Sequence, residues 1–496
     1  MNGSTAEAAQ DVERSWDRRS RFVASAMRRW LSRRDVALVI SGGGSQGSFQ
    51  AGALRFLYDH LALRPVAICG NSVGALNGSK LAEAEPSART EQDAGTEQGA
   101  GREPVAGSEP VAGFERATTT EPGRRRIDDL EALWRSMRTN DDFWRAEPWL
   151  EKLRNEASWA AELRDHLADS GTSAAQVRVV LRMIGGLVRH APVADGTIDA
   201  LRQALRAKSL LSIAPIRELV TQHLDPALVA SSGIKLRLGA VSLESGELRY
   251  ITEHGELVGR DNAPLGLERV DLREAVLASA AIPVLFPPVR LGDEYYVDGG
   301  ARELLPLDFA FQHLGADHIY AVVAPALGVT RAPSFEDKGL LEVARRVTTE
   351  IGPDEILHKE MHPPRGWGRR VTLIAPEFDV HDALLIDPVL IAASLDYGYM
   401  RAAEVVLSLG EDARRTSREI TRTRMELREL DGPVSAFIGV PELAALLDEE
   451  GLKLQGEQRQ ILERRLAQLY DERRRLGAPI PREPDAADDD VDMEAG

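Results

Sequence analysis

Three short motifs hold the residue types that acyl-transfer chemistry needs. Gly70-Asn71-Ser72-Val73-Gly74 has the form G-x-S-x-G. It follows the apolar run Val66–Cys69 and precedes a helical pattern, so Ser72 is predicted on a sharp strand-to-helix turn with its hydroxyl exposed. Glycines two residues to either side keep Cβ atoms out of that bend. The helix N-terminus there favours the negative charge that develops on an attacked carbonyl. Ser41-Gly42-Gly43-Gly44-Ser45-Gln46-Gly47 also lies between strand and helix. Its bare N–H groups suit an anion, either as an oxyanion hole for Ser72 or as a dinucleotide turn, since Gly42, Gly44 and Gly47 satisfy G-x-G-x-x-G. A dinucleotide site needs an acid at the end of the next strand. That place is taken by the serine elbow, which disfavours the cofactor reading; a plain tight turn is the bland alternative. The third motif, Asp298-Gly299-Gly300, ends the short run Tyr295–Val297. It reads either as a carboxylate aimed into a cleft or as an ordinary Asp-Gly turn.

Serine is a poor nucleophile near neutral pH and needs a base within about 2.6–3.2 Å. A carboxylate is ionised at pH 7 from a reference pKa of about 3.9, and a dry cleft raises its basicity. Asp298 can therefore serve directly. The competing arrangement is a Ser–Asp–His triad, with His313, His318, His358 and His381 all following Asp298. None stands in a distinctive turn, and His313 falls on an amphipathic helix after Pro306, where a surface or satisfied histidine is the simpler reading. Cys69 sits in an apolar run and reads as a small buried hydrophobe. No clustered ligand motif appears, so neither metal nor cofactor is expected.

Positioning these residues requires strands and helices in alternation. Asp35–Ile40 reads as a buried strand, followed by a helix through Ala51, Leu54 and Leu57, a strand at Val66–Cys69 and a second helix, which implies a right-handed, mainly parallel sheet. Residues 126–223 read as helical, with Leu130, Leu133, Trp134 and Met137 on one face. Lys235–Ser242 and Glu247–Thr252 read as a hairpin, followed by a helix over Leu272–Ala280. Ile282–Pro288 cannot be regular helix. His318–Val323 and Arg370–Ala375 are further strands. Residues 411–475 read as long charged helices with Leu462, Leu466 and Leu469 in a stripe.

Composition bounds the remaining choices. The chain has 496 residues, with 61 Lys plus Arg against 78 Asp plus Glu; the resulting −17 argues against nucleic acid as a partner. A single cysteine excludes an internal disulfide framework. No window offers 18 uncharged apolar residues, and Asp11, Glu13 and Arg14 interrupt any signal-peptide pattern, so a soluble cytoplasmic protein is expected. Residues 1–34 form a basic arm with eight arginines against four acids. Trp16, Val23, Met27 and Trp30 recur there at helical spacing, which suits docking on the following domain or, alternatively, peripheral membrane contact. Residues 81–125 contain the near-duplicates Glu103–Ser108 and Glu109–Phe114 and read as a disordered insertion. The tail at 481–496 is strongly acidic and reads as solvated.

Taken in order, the three motifs resemble the patatin-like phospholipase family of lipid acyl hydrolases. The likeness covers roughly residues 35–408, between the basic arm and a helical extension at 409–480. Ala278–Pro283 with Phe286-Pro287-Pro288, and Leu76-Asn77-Gly78 after the elbow, support it. The resemblance implies a three-layer α/β/α domain with a mainly parallel sheet. It implies Ser72 as nucleophile, Asp298 as its partner in a dyad, and an oxyanion hole drawn from the amides of Gly42, Gly43, Gly44 and Gly47. Gly70, Gly74, Gly299 and Gly300 shape the two loops. Gln46 stands where family members usually carry Arg or Lys, and Glu303 and Leu304 where many carry asparagines. The expected substrate is a phospholipid, lysolipid or related carboxylic ester, with 126–223 as a cap over the acyl chain. The alternatives are a silent lipid-binding or scaffolding protein on the same fold, and a Ser–Asp–His esterase.

Overall fold

The computed structural model describes residues 22–84, 124–148, 207–332, 334–336, 340–362, 370–431 and 449–481. The first 21 residues with Trp16, most of the expected insertion, residues 149–206 and the acidic tail lie outside the described residues.

Strand β1 (Val36–Ile40) is buried along its whole length, as an unbroken apolar run covered on both faces should be. It leads through the glycine turn into α1 (Gly47–Leu61), then β2 (Pro65–Gly70), and through the elbow into α2 (Val73–Leu81). Next come α3 (Arg124–Ser136), β3 (Arg145–Ala146), β4 (Leu211–Ser212), α4 (Ala214–His223) and α5 (Pro226–Ser231). The antiparallel β3–β4 pair is a departure from the all-helical expectation for 126–223. Its two-residue strands are too short to leave a periodic signal.

The long strand β5 (Lys235–Ser242) turns back as β6 (Leu248–Thr252), and β7 (Leu257–Val258) follows. Then come α6 (Leu272–Ser279), β8 (Val289–Leu291), β9 (Glu294–Asp298), α7 (Leu307–His313) and β10 (His318–Val322). A near-continuous helical run contains α8 (Leu340–Arg346), a π-helical turn (Val347–Ile351) and α9 (Gly352–Glu360); β11 (Val371–Ile374) and α10 (Pro388–Val406) follow. The sheet order is β11-β10-β1-β2-β5-β6-β7. The first five strands are parallel and β6, β7 and the β8–β9 hairpin are antiparallel.

Alternation along the central strands divides the core into two layers. Leu38, Ile40, Ile68, Leu236 and Leu238 face α1, α2, α3 and α10, in a cluster with Phe49, Leu54 and Trp134. Ala37, Val39, Ala67 and Cys69 face the other way, toward Phe309, Ala310 and Leu357 of α7 and α9. Cys69 is buried, and burial pushes its thiol pKa well up, as befits a core residue. The fold is thus a three-layer α/β/α sandwich with a mostly parallel sheet.

Residues 22–31 are helical. Leu31 is buried, Trp30 meets the His318 ring edge-on at 5.2 Å, and Arg34 stacks over Trp30 at 4.3 Å. This helix therefore docks where β10 begins, at the sheet edge away from Ser72. At the other end of the chain, α11 (Glu411–Glu429) packs on α10, and α12 (Glu449–Arg475) packs on α11. Arg473 is fully buried with Glu404 at 3.4 Å and donates to Ser417 Oγ at 2.5 Å and to the Ala413 carbonyl at 2.8 Å. Leu462 and Leu469 of the expected stripe are buried, and Leu466 packs beside them.

Candidate active site

The topology explains how two motifs 226 positions apart converge. Strand β5 outruns β2: Gly70 pairs with Leu238, and the ladder on that side would end there. Strand β9 takes over the same edge from the opposite direction, with Asp298 paired to Ala240. The two strands meet end to end, and Gly239 lies between their last rungs. Asn71 fills the junction, its Oδ1 accepting the Gly239 N–H at 3.0 Å and its Nδ2 donating to the Glu303 carbonyl at 2.5 Å. Main-chain ladders on one shared strand thus bring Ser72 and Asp298 together.

Ser72 has φ 55° and ψ −127°, a conformation costly for any residue with a Cβ. The surroundings hold it there. Its N–H donates to Ser279 Oγ at 3.1 Å, and the Gly74 N–H donates to the Asn71 carbonyl at 2.8 Å. A Cβ on Gly74 would lie 2.2 Å from the Ile40 carbonyl oxygen, and one on Gly70 2.3 Å from that of Gly74. The elbow therefore closes only with glycine on both sides of the serine.

In the glycine turn, Gly44 has φ 57°, and a Cβ there would strike the Ala383 carbonyl oxygen at 2.1 Å. The Gly42 N–H donates to the Leu304 carbonyl at 3.1 Å, and the Gly47 N–H turns back onto Gly44 and Ser45. That corrects the donor set implied by the resemblance, since neither amide is left to meet a ligand. The amides of Gly43 and Gly44 have no partner among the described residues, and both residues line the same cavity as Ser72 and Asp298.

This cavity measures about 600 Å3, with Leu285, Leu304, Ile356 and Leu357 among its apolar walls. Ser72 and Asp298 are each only 4% exposed at its floor. Burial pushes the Asp298 carboxyl up to about 7, opposed by hydrogen bonds from Ser72 and from the Gly300 N–H, the latter at 2.7 Å. A carboxylate so placed is a base matched to neutral pH, in contact with the hydroxyl it would deprotonate. The histidines bond elsewhere. His381 lines the cavity, but its ring nitrogens lie 3.4 Å from Ser45 Oγ and Ser48 Oγ, and burial lowers its pKa. His313 packs on Phe309, His318 meets Thr372 Oγ1 at 2.9 Å, and His358 packs on His362.

The departures from the family pattern have structural uses. Gln46 Nε2 donates to the His381 carbonyl at 3.1 Å, and its side chain also hydrogen-bonds Asp379. It braces a neighbouring loop where a cation would face the cavity. The Glu303 carboxylate takes the Tyr250 hydroxyl. Leu304 joins the aspartate loop to the glycine turn, its carbonyl holding Gly42 and its N–H bound to Glu360 Oε2 at 3.0 Å; the Leu305 N–H meets the same oxygen at 2.7 Å. Burial pushes Glu360 up to about 8. Sequence reasoning misses Glu360 because an acid on a charged helix carries no local mark. Asn77 shows in the sequence only as part of a motif, yet its Nδ2 holds the Gly47 carbonyl at 3.1 Å and its Oδ1 the Trp134 indole at 3.0 Å.

A serine on a strand–helix elbow, a buried carboxylate and two bare amides thus line one cavity of an α/β/α domain. The model of the patatin-like phospholipase family matches residues 38–311, more than half of the chain, and the protein belongs to that family. It is accordingly a hydrolase of the lipid acyl type. Among solved structures, VipD from Legionella pneumophila is similar at 11% identity over 80% of this chain and 75% of that one, with a TM-score of 0.33. A chain of the full-length SpcU–ExoU complex from the type III secretion system of Pseudomonas aeruginosa is similar at 14% identity over 90% of this chain and 70% of that one, with a TM-score of 0.17. Among curated proteins no match reaches significance. Among the described residues no helix is long and apolar enough to cross a membrane.

Proposed function

We propose that the protein cleaves carboxylic ester bonds of phospholipids or lysophospholipids through a Ser72–Asp298 dyad. The carrying support is that the β5 ladders bring Ser72 and Asp298 to the same apolar cavity, where burial raises the Asp298 carboxyl to about 7. Asp298 takes the Ser72 proton as the oxygen attacks the ester carbonyl, and the Gly43 and Gly44 amides receive the developing oxyanion. The protonated Asp298 then delivers its proton to the departing alcohol oxygen. In the second half the carboxylate activates a water, which releases the fatty acid and restores Ser72.

The segment 126–223 is the cap in this reading. Both of its described parts are bonded to residues that line the cavity: Trp144 Nε1 donates to the Leu384 carbonyl at 2.7 Å, and the Leu211 N–H to the Leu285 carbonyl at 2.8 Å. The test is labelling by a fluorophosphonate together with a phospholipid panel. Wild type is expected to be labelled and to release fatty acid, and Ser72→Ala to do neither. Labelling that persists in Ser72→Ala overturns the nucleophile; full esterase activity in Asp298→Asn overturns the base. A shortened cap that leaves chain-length preference unchanged overturns its role.

A further inference from the structure

The outer face of the helical run 340–360 carries apolar side chains that the fold leaves uncovered. Val343, Val347 and Ile351, spaced by four, are 41%, 49% and 48% exposed. The inner face is conventional, with Leu357 buried and Ile356 packed on the second core layer. The loop before this run presents Leu327, 41% exposed, and is tied to it: Arg346 donates to the Thr330 carbonyl, and the Gly328 N–H to Asp354 Oδ1 at 2.6 Å. Val347 and Gly328 also line the cavity that contains Ser72 and Asp298. The apolar rim and the cavity are therefore one continuous surface.

Charge decides what the rim can meet. Arg345 and Arg346 both pair with Glu350, and Lys359 pairs with Glu355 at 2.9 Å. Every Lys or Arg from 343 to 360 is thus matched locally. Among the described residues of the adjoining loop Arg331 adds one cation, and the sequence total is −17. An anionic surface would be repelled at long range, whereas a neutral one has only the apolar side chains to meet.

We propose that the rim formed by Leu327, Val343, Val347 and Ile351 seats on the surface of an electrically neutral lipid aggregate, so that the cavity opens directly onto it. The inference rests on the lipid hydrolase reading and deepens it by naming the docking face and the surface chemistry. It also assigns lipid contact to the carboxyl edge of the sheet, away from the docked helix at 22–31.

The experiment is flotation of the full chain with phosphatidylcholine vesicles, in a Ser72→Ala background that prevents turnover. Val343→Ser with Ile351→Ser, neither of which lines the cavity, is expected to weaken flotation about tenfold or more. The same pair in the Ser72 chain is expected to hydrolyse a soluble short-chain ester at the wild-type rate, which also shows that it folds. Flotation unchanged by the pair overturns the proposal. So does flotation lost on deleting residues 1–34 but retained by the pair, or stronger binding to phosphatidylglycerol vesicles that salt abolishes. A wild-type dimer made monomeric by the pair, with flotation unaltered, would assign the face to a second copy instead. Labelling that persists in Ser72→Ala would remove the catalytic reading and leave the flotation result standing.

Discussion

Asp298→Asn tests the electrostatics of the site through stability as well as activity. In the folded chain burial raises the carboxyl to about 7, against an ordinary value of 3.8. The unfolded chain therefore loses this proton near pH 4, while the folded chain keeps it until about pH 7. Raising the pH across that window strips protons from the unfolded state alone, so wild type loses stability by about 1.4 kcal/mol per pH unit. Above about pH 7 both states are ionised and the loss levels off. Asparagine has no proton to lose, is close in shape, and keeps an oxygen for the Gly300 N–H. Urea unfolding of both proteins at pH 5, 6, 7 and 8 is expected to show a stability difference that shifts in favour of the Asp298→Asn variant by about 3 kcal/mol between pH 5 and pH 8. Glu360 and Asp379 are common to both chains, so their own titrations cancel. In parallel, wild-type kcat/KM is expected to climb about tenfold per pH unit up to about pH 7. A pH-independent stability difference would refute the argument that desolvation poises Asp298.

Three further outcomes follow from the geometry. Ser72→Gly is expected to be more stable than Ser72→Ala by about 1 kcal/mol in thermal unfolding, because only glycine adopts φ 55°, ψ −127° without strain; equal stability would deny that the elbow is strained. Glu360→Ala leaves the buried Leu304 and Leu305 amides unpaired and is expected to cost about 1–3 kcal/mol, whereas Glu360→Gln, which resembles the protonated acid at pH 7, is expected to cost less than half of that. Arg473→Ala strips a fully buried carboxylate, Glu404, of one of its two arginines and is expected to lower stability by about 3 kcal/mol in urea unfolding, a loss that would not be seen if the C-terminal helix were loosely attached.

The legible parts of the molecule are those with local signatures. The run Val36–Ile40, the elbow around Ser72 and the Asp-Gly-Gly turn each announce themselves within a few residues, and their order points to the fold. The hairpin of β5 and β6 is readable for the same reason. What escapes depends on contacts far apart in the chain. Nothing in Asp298's own sequence reveals that β9 continues the edge left by β2. Hydrogen bonds to Leu304 and back onto Ser45 decide which amides of the glycine turn stay free, and no spacing rule predicts those. Gln46 and Glu303 read as lost catalytic support until their partners, the His381 carbonyl and Tyr250, come into view. The Trp/Val/Met stripe of the basic arm is ambiguous by pattern alone; in its described end Met27 packs on the core, while Trp30, edge-on to His318, stays 40% exposed.

The end-to-end meeting of β2 and β9 on a single strand has an evolutionary corollary. Serine and aspartate take their separation from rungs of main-chain pairing on β5, and the polypeptide between α2 and β5 adds no rung to that pairing. The stretch between α2 and β5 can be lengthened, shortened or exchanged without moving Ser72 relative to Asp298. New substrate ranges are thereby open to such a scaffold through insertion alone.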